Sequence, residues 1–289
     1  MGTRLLARGA LAGIVAGLLA FIFARIFAEP QIQAAIDYES GRDEAQRALD
    51  KAAGLPVDGG ELELFSRTVQ GNLGLGVGVV VFGLAMGALY AVVYSVCLGR
   101  VGRLRPRPLA MLVAGGGFLG VYLVPFVKYP ANPPAIGHAE TIRDRSNFYL
   151  LMVLCSLLFL AGAVLLGQRL RDRFGNWNAS LISGAVFVVA IGAVMAFLPQ
   201  FGQLPANVAE YGRHATETPL PLTDAHGTIV YPGFPADTLF AFRFSSVAAQ
   251  ALFWTALGLV FAPMAERLLA AHAARSAPAG PVTSEPANA

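Results

Sequence analysis

The chain has 289 residues, 55% of them hydrophobic and only 13% charged, with a mean hydropathy of +0.58 and a net charge of +3. An ordinary soluble domain carries about a quarter charged residues, so the side chains needed to coat a water-facing surface of this size are missing. The two cysteines, Cys97 and Cys155, lie in separate apolar runs, which excludes a disulfide framework.

Six apolar stretches reach the roughly 20 residues that a spanning helix needs. In chain order they are 5–27, 73–98, 109–127, 148–167, 181–198 and 244–263. None contains an acidic residue, and Arg25 lies near the end of the first, where a long side chain snorkels to the interface. The runs are apolar on every face, so length separates helix from strand. Barrel strands would be about 10 residues with alternating polarity. The first run follows Arg4 and Arg8 like a signal peptide, but no A-x-A cleavage site follows it. It also carries Gly9, Gly13 and Gly17 at four-residue spacing, a helix-packing stripe, and is expected to be retained.

The connections alternate in charge. One set holds Arg4 and Arg8, then Arg100, Arg103, Arg105 and Arg107, then Arg169, Arg171 and Arg173, then Arg267 and Arg275. Short arginine-rich connections mark the cytoplasmic side, so both ends are expected there. The fold class expected is therefore all-α: a bundle of six transmembrane helices, N-in and C-in, over residues 1–271, in the bacterial cytoplasmic (inner) membrane. Residues 272–289, rich in Ala, Pro and Ser, are expected to form a disordered cytoplasmic tail. Three segments then face outward: 29–72, with a polar or interfacial helix over 31–53; the short 128–147; and 200–243, a long irregular loop broken by prolines and glycines.

Within the spans, Gly74-x-x-x-Gly78, Gly83-x-x-x-Gly87 and Gly116-x-x-x-Gly120 permit close helix approach, within one bundle or in a homo-oligomer. Gly115-Gly116-Gly117 is a candidate unwound point.

Polar chemistry gathers at the outward helix ends. Arg25 and Glu29-Pro30 close the first run, with Asp37 after them. The third run ends in Val124-Pro125-Phe126-Val127-Lys128-Tyr129-Pro130-Ala131-Asn132-Pro133-Pro134, whose four prolines are expected to fix a rigid extended path. Phe234-Pro235-Ala236-Asp237 and Arg243 precede the last run. Glu29, Asp37, His138, His214 and His226 are the candidate cation ligands, because imidazole and carboxylate suit divalent cobalt, nickel or zinc. Arg25, Lys128, Tyr129, Asn132, Asp237 and Arg243 are candidate entrance or pairing residues. The alternative is that these charges only anchor the interface, with Glu29 pairing to Lys128. No two histidines stand at chelating spacing.

No Walker motif, H-E-x-x-H, C-x-x-C or G-x-S-x-G elbow occurs, so neither an ATPase nor an enzyme is expected. Topology accounts for the arginines, so nucleic acid is not an expected partner.

Several strings resemble the family of probable cobalt transporter subunits called CbtA: residues 6–39 with Phe23-Ala24-Arg25 and Glu29-Pro30, the segment Lys128-Tyr129-Pro130-Ala131-Asn132-Pro133-Pro134, Phe234-Pro235-Ala236-Asp237, and Leu257-Gly258-Leu259-Val260-Phe261. The resemblance implies cobalt uptake linked to cobalamin supply, with Co2+ as the transported ion, no permanently bound cofactor, and a small single-span histidine-containing partner (CbtB-like) beside the lipid bilayer. It implies no metal ligands residue by residue. The competing expectation is a non-transporting scaffold or assembly protein that binds a partner through its outer loops.

Overall fold

The apolar runs are helices. The computed structural model describes residues 2–56, 69, 73–102, 104–213 and 216–276. In chain order α1 is Gly2–Phe27, α2 Glu29–Ala52, α3 Leu75–Cys97 and α4 Pro106–Gly117; a π-helical turn, Phe118–Leu123, carries α4 into α5, Val124–Lys128. After a 3-10 turn at Ala139–Thr141 come α6, Ile142–Phe197, a second 3-10 turn at Phe201–Gln203, and α7, Pro205–Tyr211. The two-stranded hairpin β1 (Leu222–Thr223) and β2 (Ile229–Tyr231) follows, and then α8, Ala236–Ser276.

Among the described residues five helices are long and apolar enough to cross a membrane. One of them, α6, has 56 residues and a non-helical break at Gly175, with φ 74 and ψ 168. Straight, it would extend about 84 Å at 1.5 Å per residue, far beyond a hydrocarbon core of about 30 Å. The break lets its halves fold back on each other: Met152 packs with Ile191, and Gly167 lies against Ser183. The stretches expected at 148–167 and 181–198 are these two halves.

The closest packing joins α1 to α3. Gly9, Ala12, Gly13, Ala16, Gly17 and Ala20 form one buried face of α1, and Gly83 and Gly87 of α3 meet it backbone to backbone. A Cβ on Gly13 would land on the Gly83 carbonyl, and one on Gly87 on the Gly9 carbonyl. In lipid the attraction between helices is van der Waals contact, which small residues allow by bringing backbones together. Gly78 of the first α3 stripe has nothing within 4 Å, so it makes no close helix contact here.

α8 closes the bundle. Phe261 takes Tyr90 and Tyr94 edge-on, each 5.0 Å between ring centres. Both phenols reach the start of α4, where Tyr90 donates to the Ala110 carbonyl at 2.6 Å and Tyr94 to the Pro106 carbonyl at 3.3 Å. Backbone carbonyls at a helix start thus satisfy two hydroxyls that lipid cannot. At this end Arg107 pairs with Glu266 at 2.6 Å, and Arg8 donates to the Met264 carbonyl.

Three expectations are refined. Gly115-Gly116-Gly117 is not unwound: helical backbone continues through it, and the irregularity is the π turn that follows. Val124–Lys128 is helical despite Pro125, so the extended path starts only after Lys128. The π turn opens the hydrogen-bond ladder just where the proline ring and its missing N–H need room. Two side chains of α6 meet the carbonyls of that turn: Ser156 donates to Gly120, and Tyr149 to Val121 at 3.3 Å. The third connecting segment is also less irregular than its prolines suggest. Pro205 starts α7 at a position that needs no N–H. Asp224 turns the hairpin by accepting from the His226 and Thr228 amides, both at 2.9 Å. At the C-terminus α8 continues to Ser276; the rest of the expected tail, 277–289, lies outside the described residues.

Candidate functional site at the proline corner

The three segments expected to face outward meet at one end of the bundle. α2 runs as a polar helix, and Ala35 and Tyr38 form its buried side. They pack with Ile136 of the second segment and Phe234 of the third. Tyr38 donates to the Pro232 carbonyl at 3.0 Å, and Arg42 to the Leu220 carbonyl at 2.8 Å. Burial pushes the Tyr38 phenol above its usual pKa, so it remains a donor.

Beside this cap the corner after α5 is tied to two other elements. Lys128 Nζ donates to the Leu198 carbonyl at 2.8 Å, and the Tyr129 hydroxyl to the Pro199 carbonyl at 2.8 Å. The Tyr129 ring stacks on Phe201 with centres 4.2 Å apart and planes 7° from parallel. Burial pushes this phenol up to about 12, which keeps its proton and therefore its bond. From α8, Arg243 donates through Nε to the Ala131 carbonyl at 3.2 Å and through Nη2 to Asn132 Oδ1 at 2.8 Å. Prolines 130, 133 and 134 leave this stretch without helical partners for its carbonyls, and Arg243 supplies one. Of the residues singled out as entrance or pairing groups, Lys128, Tyr129, Asn132 and Arg243 come together here.

The Asn132–Arg243 contact gives a direct test. Asn132→Ala and Arg243→Ala are each expected to destabilise the protein in detergent by about 1–2 kcal/mol, because a charge-assisted hydrogen bond is lost. A double-mutant thermal-melt cycle should return a coupling of about 1 kcal/mol. Strict additivity would mean that the bond does not hold the corner.

A second cluster, which the sequence did not suggest, lies behind the corner. Glu217, on the third segment, has a side chain only 1% exposed. Its Oε1 accepts from Asn207 Nδ2 at 2.7 Å, and its Oε2 lies 3.5 Å from Arg145 Nη1. The Thr141 hydroxyl, 3.1 Å from Oε1, donates either there or to the His138 carbonyl at 2.7 Å. The other Asn207 Nδ2 proton goes to the Phe201 carbonyl at 2.8 Å. A carboxylate held this way survives burial because its acceptors are used, and it pins the third segment to the start of α6. No motif signalled it: Thr141 and Arg145 lie more than 60 positions from Asn207 and Glu217, and each reads alone as a loop residue.

Between the corner and α6 lies a cavity of ≈ 590 Å³. Its wall includes Tyr122, Phe126, Tyr129, Asn132, Arg145 and Tyr149. A second cavity, of ≈ 620 Å³, lies toward Gly175 between the two halves of α6 and Leu104.

Among the described residues the candidate cation ligands are not gathered into a metal-holding group. Glu29 is buried in the first turn of α2. Asp37 is exposed and accepts from Gln33 at 2.8 Å. His138 Nδ1 accepts from the Glu140 amide at 3.3 Å, starting the 3-10 turn. His226 is exposed on the hairpin turn, and His214 lies outside the described residues. Among the described residues no three His, Cys, Asp or Glu side chains form a metal-holding group. Arg25 is exposed in the last turn of α1, and Asp237 is exposed in the first turn of α8, where a carboxylate suits the helix dipole.

A family model described as "Probable cobalt transporter subunit (CbtA)" matches residues 3–266. Neither the curated proteins nor the solved structures gave a match.

Proposed function

The chain belongs to the family of probable cobalt transporter subunits (CbtA), and from that membership we propose that it is the membrane subunit of a cobalt uptake system serving cobalamin supply. The match over residues 3–266 carries this reading, since it takes in nearly all of the five described helices long and apolar enough to cross a membrane, the last as far as residue 266. Its fold is that of a multi-pass helical membrane protein, and its family is one of transporter subunits. In this reading the chain crosses the bacterial inner membrane six times, with both halves of α6 spanning and both termini in the cytoplasm. The cap of α2 and the third segment then faces outward, and Co2+ is the substrate.

A subunit needs a partner. We assign that role to a small single-span histidine-containing protein, which would supply imidazole ligands that the described residues of this chain do not gather. Glu29, Asp37, His138, His214 and His226 would act as dispersed outer groups that attract the cation. The fixed corner at Lys128–Asn132 would shape the path, with Asp237 at its edge.

The experiment is uptake of radioactive cobalt by cells expressing the chain and its partner, against cells lacking either. The expected result is a several-fold rise that needs both. Unchanged accumulation would remove the transport reading. Reporter fusions at Gly102 and Gly175 should report cytoplasm, and one at Asp224 the outside; the opposite pattern would reverse the orientation.

A further inference from the structure

The ≈ 590 Å³ cavity beside the proline corner has an unbalanced wall. Among the described residues, the Tyr122 hydroxyl and Arg145 Nε are buried and have no hydrogen-bond partner. Both residues line the cavity, and Arg145 Nε is a donor with nothing to receive it. The neighbouring polar groups are already engaged. Tyr129 donates to Pro199, Ser146 to Ile142, Tyr149 to Val121, and Asn132 Oδ1 accepts from Arg243. A ligand that balances this wall must therefore bring oxygen acceptors.

Arg145 narrows the class. Its Nη1 faces Glu217 at 3.5 Å, a long and weak pairing, and its Nε lies on another edge of the fork. A guanidinium edge matches the spacing of two oxygens on a phosphate or carboxylate. Glu217 would oppose a second anion, but its charge is shared among Asn207, Thr141 and Arg145.

The rest of the wall is apolar and aromatic. Tyr122 stacks on Phe126 with centres 5.3 Å apart. Ile142 and Leu150, which also line the cavity, are 57% and 64% exposed. In a protein whose exposed apolar side chains face lipid, that rim makes the cavity open sideways into the bilayer at the level where spanning helices end. Its ligand would then have an oxyanion at one end and hydrocarbon at the other.

We propose that this cavity binds an anionic phospholipid, its phosphate held by Arg145 Nε and the Tyr122 hydroxyl and its acyl chains lying over Phe126 and Leu150. The lipid would thereby brace the junction between α5 and the start of α6. The assignment is independent of the cobalt reading.

The test uses the full chain purified in a neutral detergent and delipidated. Dioleoylphosphatidylglycerol is titrated and followed by native mass spectrometry and by thermal melting. Dioleoylglycerol, which lacks the phosphate, and inorganic phosphate alone are run in parallel. Saturable binding with a raised melting temperature is expected for phosphatidylglycerol only. Tyr122→Phe should melt like the wild type without lipid, because its hydroxyl has no partner to lose, and should bind phosphatidylglycerol about tenfold more weakly. Arg145→Lys keeps the charge facing Glu217 but loses the Nε edge, and should weaken binding at least as much. Equal binding of dioleoylglycerol, an equal shift from inorganic phosphate, or undiminished binding by both variants would each overturn the proposal.

Discussion

Gly87→Val is expected to abolish the monodisperse protein in detergent, or to lower its melting temperature further than Asn132→Ala or Arg243→Ala does. Overpacking an interior costs about 1–3 kcal/mol when neighbouring side chains can give way. At Gly87 the neighbours are the Gly9 carbonyl and the Gly13 backbone, which cannot turn aside. The valine would push α1 and α3 apart and remove the close contact that holds them in lipid. Gly78→Val is the control: nothing lies within 4 Å of Gly78, so its effect should stay within about 0.5 kcal/mol. Size-exclusion profiles and thermal melts of the two proteins decide the matter. If both behave like the wild type, the α1–α3 contact is not what fixes the first helix.

Glu217→Ala is expected to be nearly as damaging, and in a different place. It strips Asn207 Nδ2 of an acceptor and leaves Arg145 facing a void. The short bond from Asn207 and the one from Thr141 are lost with it, while Arg145, 23% exposed and only 3.5 Å from the carboxylate, is left to water, so about 2–3 kcal/mol is expected. The loss should appear locally, as faster proteolysis around Glu217 while the long apolar helices remain folded. Glu217→Gln keeps an oxygen for Asn207 and should restore more than half of the protection. An alanine protein with the wild-type melt and cleavage pattern would show that the cluster does not anchor the third segment.

These two sites differ in how legible they are in the sequence. The glycine contact can be read from spacing: Gly9, Gly13 and Gly17 stand on one helical face, and so do Gly83 and Gly87. The spacing does not say that they meet each other, nor that Gly78 meets nothing. The Glu217 cluster cannot be read at all. A carboxylate in a Thr-Glu-Thr string carries no mark of burial, and its partners lie up to 76 positions away. The prolines mislead in part as well: Pro125 reads as the start of an extended path, but the π turn before it absorbs its missing donor and the helix continues to Lys128.

Composition and run length by themselves determined that this chain lives in a membrane and crosses it as helices, because a hydrocarbon solvent demands long apolar segments whose backbone bonds are satisfied within each segment. The Lys128–Pro134 string also pointed to the family. Only the tertiary structure decided which polar groups act together. Lys128 serves the Leu198 carbonyl, and Arg243 binds Asn132 across 111 positions. Among the described residues the candidate cation ligands form no metal-holding group, while Tyr122 and Arg145, which line one cavity, each carry an unforeseen buried group without a partner. The physical reason is range. Hydrophobicity acts on each residue through its solvent and so shows in one dimension. Hydrogen bonds and close contacts act over about 3–4 Å, and which atoms come that close depends on how the helices pack.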